Sequence, residues 1–222
     1  MKVLKFGGSS VATPERIKDI GVLIADRHRV GEELTIVFSA FGGVTDTLIQ
    51  AATEAAAGEL SYKDTVNSIQ ERHNEAIAEL ELSGKAVAST VQENFDTLQD
   101  LLKGVYLVRE ASSRTMDYIL SFGERNSADI IAAYFKSIGI DAIYLDAREV
   151  IKTNKDFGKA KVKLEQTDQL IQDYYANHKG QLSVVTGFIA ADKGGLTTTL
   201  GRGGSDYTAA LIAGALDAEV LR

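Results

Sequence analysis

The chain has 222 residues, 45% of them hydrophobic, and a formal net charge of −7 from 24 Lys and Arg against 31 Asp and Glu. That length and apolar content can bury the core of one large domain, or of one and a half. The absence of cysteine excludes a disulfide scaffold or a thiolate metal site and fits a reducing compartment. With no basic block longer than a few residues, the charge argues against a nucleic-acid partner, whereas an anionic small substrate needs only a few local cations. No apolar h-region follows Met1 and no apolar run reaches the ~18 residues of a membrane span, so a soluble cytoplasmic protein without a membrane partner is expected.

In chain order, VLKF at 3–6 reads as a short strand that stops at Gly7-Gly8-Ser9-Ser10. Thr13-Pro14-Glu15 supplies an N-cap, a first-turn proline and a first-turn acid for a helix to about Arg29. LTIVFSA at 34–40 is a second buried strand, again ending in glycines at Phe41-Gly42-Gly43, and a helix follows from about Thr45 to Ala57. Apolar spacings of three and four then predict a helical insertion over 61–139. Its expected interruptions are Ser83-Gly84, Lys103-Gly104, Ser112-Ser113 and Ser121-Phe122-Gly123. DAIYLDA at 141–147 reads as a strand, TDQLIQDYYANH at 167–178 as a helix and LSVVTGFIA at 182–190 as one buried strand. Ser205 to Asp217 reads as the last helix, and Glu219-Val220-Leu221-Arg222 as the start of a strand. His28, His73 and His178 are expected on polar helical faces in contact with solvent.

Alternating strands and helices predict a three-layer αβα sandwich with a mostly parallel central sheet. Ligands in such sheets sit at the carboxyl ends of the strands. One glycine pair is by itself an ordinary tight turn, but three glycine-rich loops after three strands converge on one sheet edge. There, backbone N–H groups approach a phosphate or carboxylate without a Cβ in the way, and following helices add their positive ends. The Walker pattern G-x-x-x-x-G-K-S/T is absent, and in the Gly201–Asp206 stretch an aspartate stands where the dinucleotide fingerprint needs its third glycine.

Lys5, inside the first strand and two residues before Gly7, is either an edge lysine reaching solvent or a cation aimed at a transferring phosphoryl group. Asp206, just inside the last helix, is either a helix-terminus charge or a group that orients a lysine or a metal. Glu124 interrupts an apolar run and is either a solvated turn residue or a holder of a substrate ammonium.

With these residues in hand, the chain resembles the aspartokinases of the amino-acid kinase superfamily. Lys5-Phe6-Gly7-Gly8-Ser9-Ser10-Val11 is similar to their K-F-G-G-T/S-S-V signature, and Ser39-Ala40 and Thr45 to their second loop. Ser121-Phe122-Gly123-Glu124 matches their S-F-G-E element, and Gly201-Arg202-Gly203-Gly204-Ser205-Asp206-Tyr207 their G-R-G-G-S-D-Y segment. The resemblance runs in order from Met1 to Arg222. It implies phosphoryl transfer from ATP, as its Mg²⁺ complex, to the side-chain carboxylate of L-aspartate. Lys5 would neutralise the transferring phosphoryl group, Asp206 would hold Lys5, and the Gly7 and Gly8 amides would cradle phosphate with Ser9, Gly203 and Gly204. Arg202 would pair with the substrate α-carboxylate and Glu124 with its α-ammonium, while Ser39, Thr45 and Ser205 would line the acceptor pocket. No resident metal ligands are implied, and the full-length enzyme is expected to be a homo-oligomer. The family continues into a segment resembling W-T-D-V-D-G and then into regulatory domains, some with a fused homoserine dehydrogenase, so the chain is expected to be a catalytic domain incomplete at its C-terminus. The insertion would serve as a cover, a dimer face or a packed helical layer. The rival readings are a kinase of another carboxylate acceptor in the superfamily and a non-catalytic small-molecule binding module.

Overall fold

The computed structural model describes residues 1–222. Period-two alternation in the strands decides which layer each side chain joins. In β1 (Lys2–Phe6), Leu4 faces one apolar cluster and Val3 the other. In β2 (Leu34–Phe38), Ile36 and Phe38 face the first and Val37 the second, and every residue of the strand is buried. Between them come α1 (Pro14–Arg29), capped by the Thr13 side chain, and before it a 3-10 turn at Gly8–Val11. The chain then runs through α2 (Val44–Ala57), α3 (Tyr62–Glu79), α4 (Ala86–Val108) and α5 (Ser113–Ser137) before returning to the sheet as β3 (Ala142–Leu145). These five helices cover the first face.

The second half is shorter in its elements: α6 (Ala147–Val150), β4 (Lys152–Thr153), α7 (Leu164–Asn177), β5 (Leu182–Thr186), β6 (Ile189–Asp192), β7 (Thr197–Thr199), α8 (Gly204–Ala215) and β8 (Val220–Leu221). The main sheet is parallel throughout, in the order β3-β5-β2-β1-β8, and α6, α7 and α8 cover its second face. This is the three-layer αβα architecture expected, with β8 on the edge where a starting strand was read. No helix is long and apolar enough to cross a membrane.

Four expectations are corrected. LSVVTGFIA is not one strand: β5 ends at Thr186, the chain turns at Gly187-Phe188, and β6 leaves to form a small second sheet, β4-β6-β7. Phe188 carries the turn at φ 66°, a conformation rare for an aromatic residue. The third glycine-rich loop therefore follows β7 of that small sheet, while Asp192–Gly195 forms the turn of its β6–β7 hairpin. Lys103-Gly104 and Ser121-Phe122-Gly123 do not interrupt anything; α4 and α5 run straight through them. Packing overrides the intrinsic cost of a glycine in a helix, about 1 kcal/mol. Gly123 is required rather than tolerated, since a Cβ there would lie 2.9 Å from the Ala40 Cβ. Finally, His73 is fully buried, stacked on Phe41 with ring centroids 4.9 Å apart and edge-on to Phe95. Burial lowers its pKa to about 4, so it packs as a neutral ring.

Candidate active site

Three segments meet at the carboxyl edge of the sheet: the turn after β1, the loop from β2 into α2, and the loop from β7 into α8. They enclose a cleft of about 360 Å³. Lys5, Gly8, Ser39, Thr45 and Glu124 line it from one side, and Arg202, Gly203, Gly204, Ser205 and Asp206 from the other. Gly7 and Ser9 stand outside the lining. Gly7 precedes the 3-10 turn beside the Lys5 ammonium, and Ser9 is exposed with its carbonyl accepting from the Arg16 guanidinium. Both α2 and α8 begin without a side-chain cap, behind left-handed Gly43 (φ 84°) and Gly203 (φ 76°). The Val44 and Gly204 amides already donate to the Phe41 and Gly201 carbonyls, so the next amides, of Thr45 and Asp46 in α2 and of Ser205 and Asp206 in α8, are those left for an anion.

The loops lie closer together than any side chain allows. A Cβ on Gly8 would be 2.9 Å from the Ala40 carbonyl oxygen. On Gly187 it would be 2.4 Å from Ser205 Oγ and 3.0 Å from the Phe38 carbonyl oxygen. Gly187→Ala is therefore expected to destabilise the protein by about 1–3 kcal/mol through overpacking. A thermal melt checks this; an unchanged transition would mean the two loops are looser than they look.

Lys5 points to the α8 side because it shares the face of Val3, and its Nζ lies 2.9 Å from Asp206 Oδ1 at the start of α8. Ser39 Oγ donates to Ser205 Oγ at 3.0 Å, joining the second and third loops. Ser127, which sequence reasoning missed, donates to the Ser39 carbonyl at 2.9 Å and so ties that loop to α5.

Glu124 sits mid-helix in α5 and is 3% exposed. Its Oε1 accepts the Ala40 amide at 3.3 Å, while Oε2 is buried without a partner. Burial pushes its carboxyl up to about 8, the Ala40 hydrogen bond pulling back only in part. A buried acid with one orphan oxygen in a polar cleft is set to receive a cationic donor. Arg202 is its chemical opposite: exposed, free of any protein hydrogen bond or ion pair, and set between Gly201 (φ 74°) and Gly203 (φ 76°). The cleft thus holds a cation paired to a carboxylate at Lys5–Asp206 and, without such partners, an acid and a cation, Glu124 and Arg202.

Two further residues hold the loops from behind. Arg72 of α3 donates to the Gly42 carbonyl at 2.5 Å and to the Ala12 carbonyl at 2.8 Å, bridging the first loop to the second. Asp117 of α5, 1% exposed, accepts from Thr199 and Gly158. Its pKa is raised by burial, with those hydrogen bonds working in the opposite direction.

The sequence profile of the amino acid kinase family matches residues 1–222. The chain is 38% identical over 224 residues to aspartokinase 1, chloroplastic, of Arabidopsis thaliana, covering 96% of this chain and 38% of that protein. It is 28% identical to bifunctional aspartokinase/homoserine dehydrogenase 1, chloroplastic, of the same plant, covering 95% of this chain and 23% of that one. Its structure superposes with a TM-score of 0.87 on E. coli aspartokinase III crystallised with aspartate and ADP in the R-state, at 28% identity, covering all of this chain and 48% of that one. The chain therefore spans less than half the length of each of these relatives. The profile match from end to end, on a fold shared with a solved aspartokinase, establishes that the chain belongs to the amino acid kinase family.

Proposed function

We propose that this chain is the acceptor- and phosphate-binding part of an aspartokinase, transferring the γ-phosphoryl group of MgATP to the side-chain carboxylate of L-aspartate. The observation that carries the reading is the pairing, in one cleft, of Lys5–Asp206 with the unsatisfied Glu124 carboxylate and the free Arg202. A free amino acid offers an α-ammonium for Glu124 and an α-carboxylate for the planar fork of Arg202. Its side-chain carboxylate then extends past Ser39, Thr45 and Ser205 towards Lys5. Aspartokinases are the relatives, and aspartate and ADP are the ligands of the solved neighbour.

In the step itself, a side-chain oxygen of aspartate bonds to the γ-phosphorus as the bond from phosphorus to the ADP oxygen breaks. The nucleophile is already an anion and ADP leaves as one, so no general base is required. What must be overcome is repulsion between an anion and a polyanion. Lys5 supplies the point charge and Asp206 fixes it; the amides of Gly7, Gly8 and Gly203, with Ser9 at the turn, receive phosphate oxygens, while Gly204, whose amide donates to the Gly201 carbonyl, keeps the loop free of a Cβ where they approach. Mg²⁺ enters with ATP as part of the substrate. The product, 4-phospho-L-aspartate, is an activated acyl phosphate at the head of lysine, threonine and methionine biosynthesis. We place the reaction in a reducing compartment such as the cytoplasm, in a homo-oligomer of the intact enzyme.

The test is ADP release from MgATP by the intact protein with L-aspartate, L-glutamate, N-acetylglutamate or carbamate as acceptor. Release with L-aspartate far above the others is expected. Preference for an acceptor without a free α-ammonium would overturn the reading, and ligand binding without release would favour a binding module.

A further inference from the structure

We propose that Asp117 is the positioning residue for Arg202, fixing the arm that recognises the acceptor α-carboxylate. This rests on the assignment of Arg202 to that carboxylate.

Arg202 has nothing of its own to hold it. Its guanidinium has no protein partner, and the glycines on either side, both at positive φ, leave the loop wide conformational freedom. Recognition of a carboxylate by a fork needs the fork within a fraction of an ångström and a few tens of degrees of its working position. The restraint has to come from the residues that lead into the loop.

Those residues converge on one buried carboxylate. Thr199, the last residue of β7, donates its amide to Asp117 Oδ2 at 3.1 Å and its hydroxyl to Oδ1 at 2.7 Å. Gly158, at the tip of the connection between β4 and α7, donates its amide to both oxygens at 2.9 and 3.0 Å. That tip lies against the same segment: the Ala160 amide donates to the Thr199 carbonyl at 3.0 Å, and a Cβ on Gly201 would stand at contact distance, 3.6 Å, from the Gly158 carbonyl oxygen. Asp117 and Arg202 line the same second cavity, of about 370 Å³, beside the cleft. No cation pairs with Asp117, so donors from both loops are what compensate its burial.

The position along α5 adds the second half of the logic. Asp117 precedes Glu124 by seven residues, two helical turns, which puts both on one face about 10.5 Å apart along the axis. Glu124 holds the loop after β2 through the Ala40 amide, and Asp117 holds the loop after β7. One uninterrupted helix therefore sets the distance between the group that takes an α-ammonium and the group that takes an α-carboxylate.

The experiment compares L-aspartate with its α-amide as acceptors for the intact wild-type protein and for Asp117→Asn. Asparagine keeps the volume but turns one acceptor oxygen into an N–H donor, which in either orientation faces the Gly158 N–H. The expected result is a KM for aspartate raised about tenfold or more, kcat within about threefold, an unchanged KM for MgATP, and a fall of similar size in the preference for aspartate over its α-amide. In an Arg202→Ala background the same substitution should add little. A uniform loss across both substrates with the preference intact, or no change at all, would overturn the inference. Should Asp117→Asn fail to fold, Thr199→Val removes only the hydroxyl bond, and an unchanged preference there would be equally decisive. If the wild type phosphorylates a different α-amino acid, the acceptor identity fails while the Asp117 comparison is read on that acid and its α-amide.

Discussion

Lys5→Ala is expected to lower kcat by about 10³-fold, roughly 4 kcal/mol of transition-state stabilisation, while aspartate binding changes little. Lys5 and Arg202 are the only cationic side chains lining the cleft, and the proposed reaction gives them different tasks. Removing Lys5 takes away the charge at the transferring group. It also leaves Asp206, 2.9 Å away in the wild type, as an unpaired carboxylate beside incoming phosphate. Lys5→Arg should not rescue, because a planar fork does not reproduce a compact ammonium in the same space. Steady-state kinetics together with calorimetric titration of aspartate separate the two effects. Loss of aspartate binding along with kcat would move Lys5 from the phosphoryl end to the acceptor end and overturn its assignment.

Glu124 carries the second large effect, and its sign follows from burial. In the folded, unliganded protein the carboxyl titrates near 8, against 4.5 for an ordinary glutamate. Between those values the folded protein holds a proton that the unfolded chain has released. The stability associated with this proton is fully present below pH 4.5 and is lost as pH rises to about 8. The gap amounts to roughly 3–5 kcal/mol. Glu124→Gln should abolish that slope, so that the variant overtakes the wild type in thermal stability as pH approaches 8. Binding should run the other way. An arriving ammonium requires the carboxylate, so wild-type aspartate affinity should rise towards pH 8 with release of a proton. Glu124→Gln should bind aspartate about 10²-fold more weakly and without that pH dependence. Calorimetry in buffers of different ionisation enthalpy reads the proton directly. Aspartate binding by the wild type without proton release would show that Glu124 does not meet the ammonium.

The parts of this site that could be read from the sequence are those built by local order. A strand, a glycine turn and a helix start are contiguous in sequence, so Lys5 with Gly8, and Arg202 with Asp206, announce themselves. Asp117 and Arg72 do not, because what they bind is backbone far away in sequence, and a carbonyl or amide carries no residue signature. A weak signal existed for Asp117, an acid on the same helical face as Glu124. His73 also had one, since its spacing to Ile69, Ala76 and Ile77 puts it on the buried side of α3. The split of the 182–190 run had none: it turns on Phe188 adopting a left-handed backbone, which a phenylalanine gives no reason to expect. The helical insertion was legible as helices, but not as the brace it forms behind the loops.

That brace has a consequence for how the cleft moves. The carbonyls of Ala12 and Gly42 share one guanidinium, that of Arg72, whose helix also packs His73 against Phe41 in the second loop. If either loop swings outward alone, the half-buried Arg72 guanidinium loses one of its two carbonyl partners, so the movements of the two loops are coupled through α3. The turn after β1 and the loop after β2 are thus tied as one leaf on α3, and what displaces one of them is felt at the other.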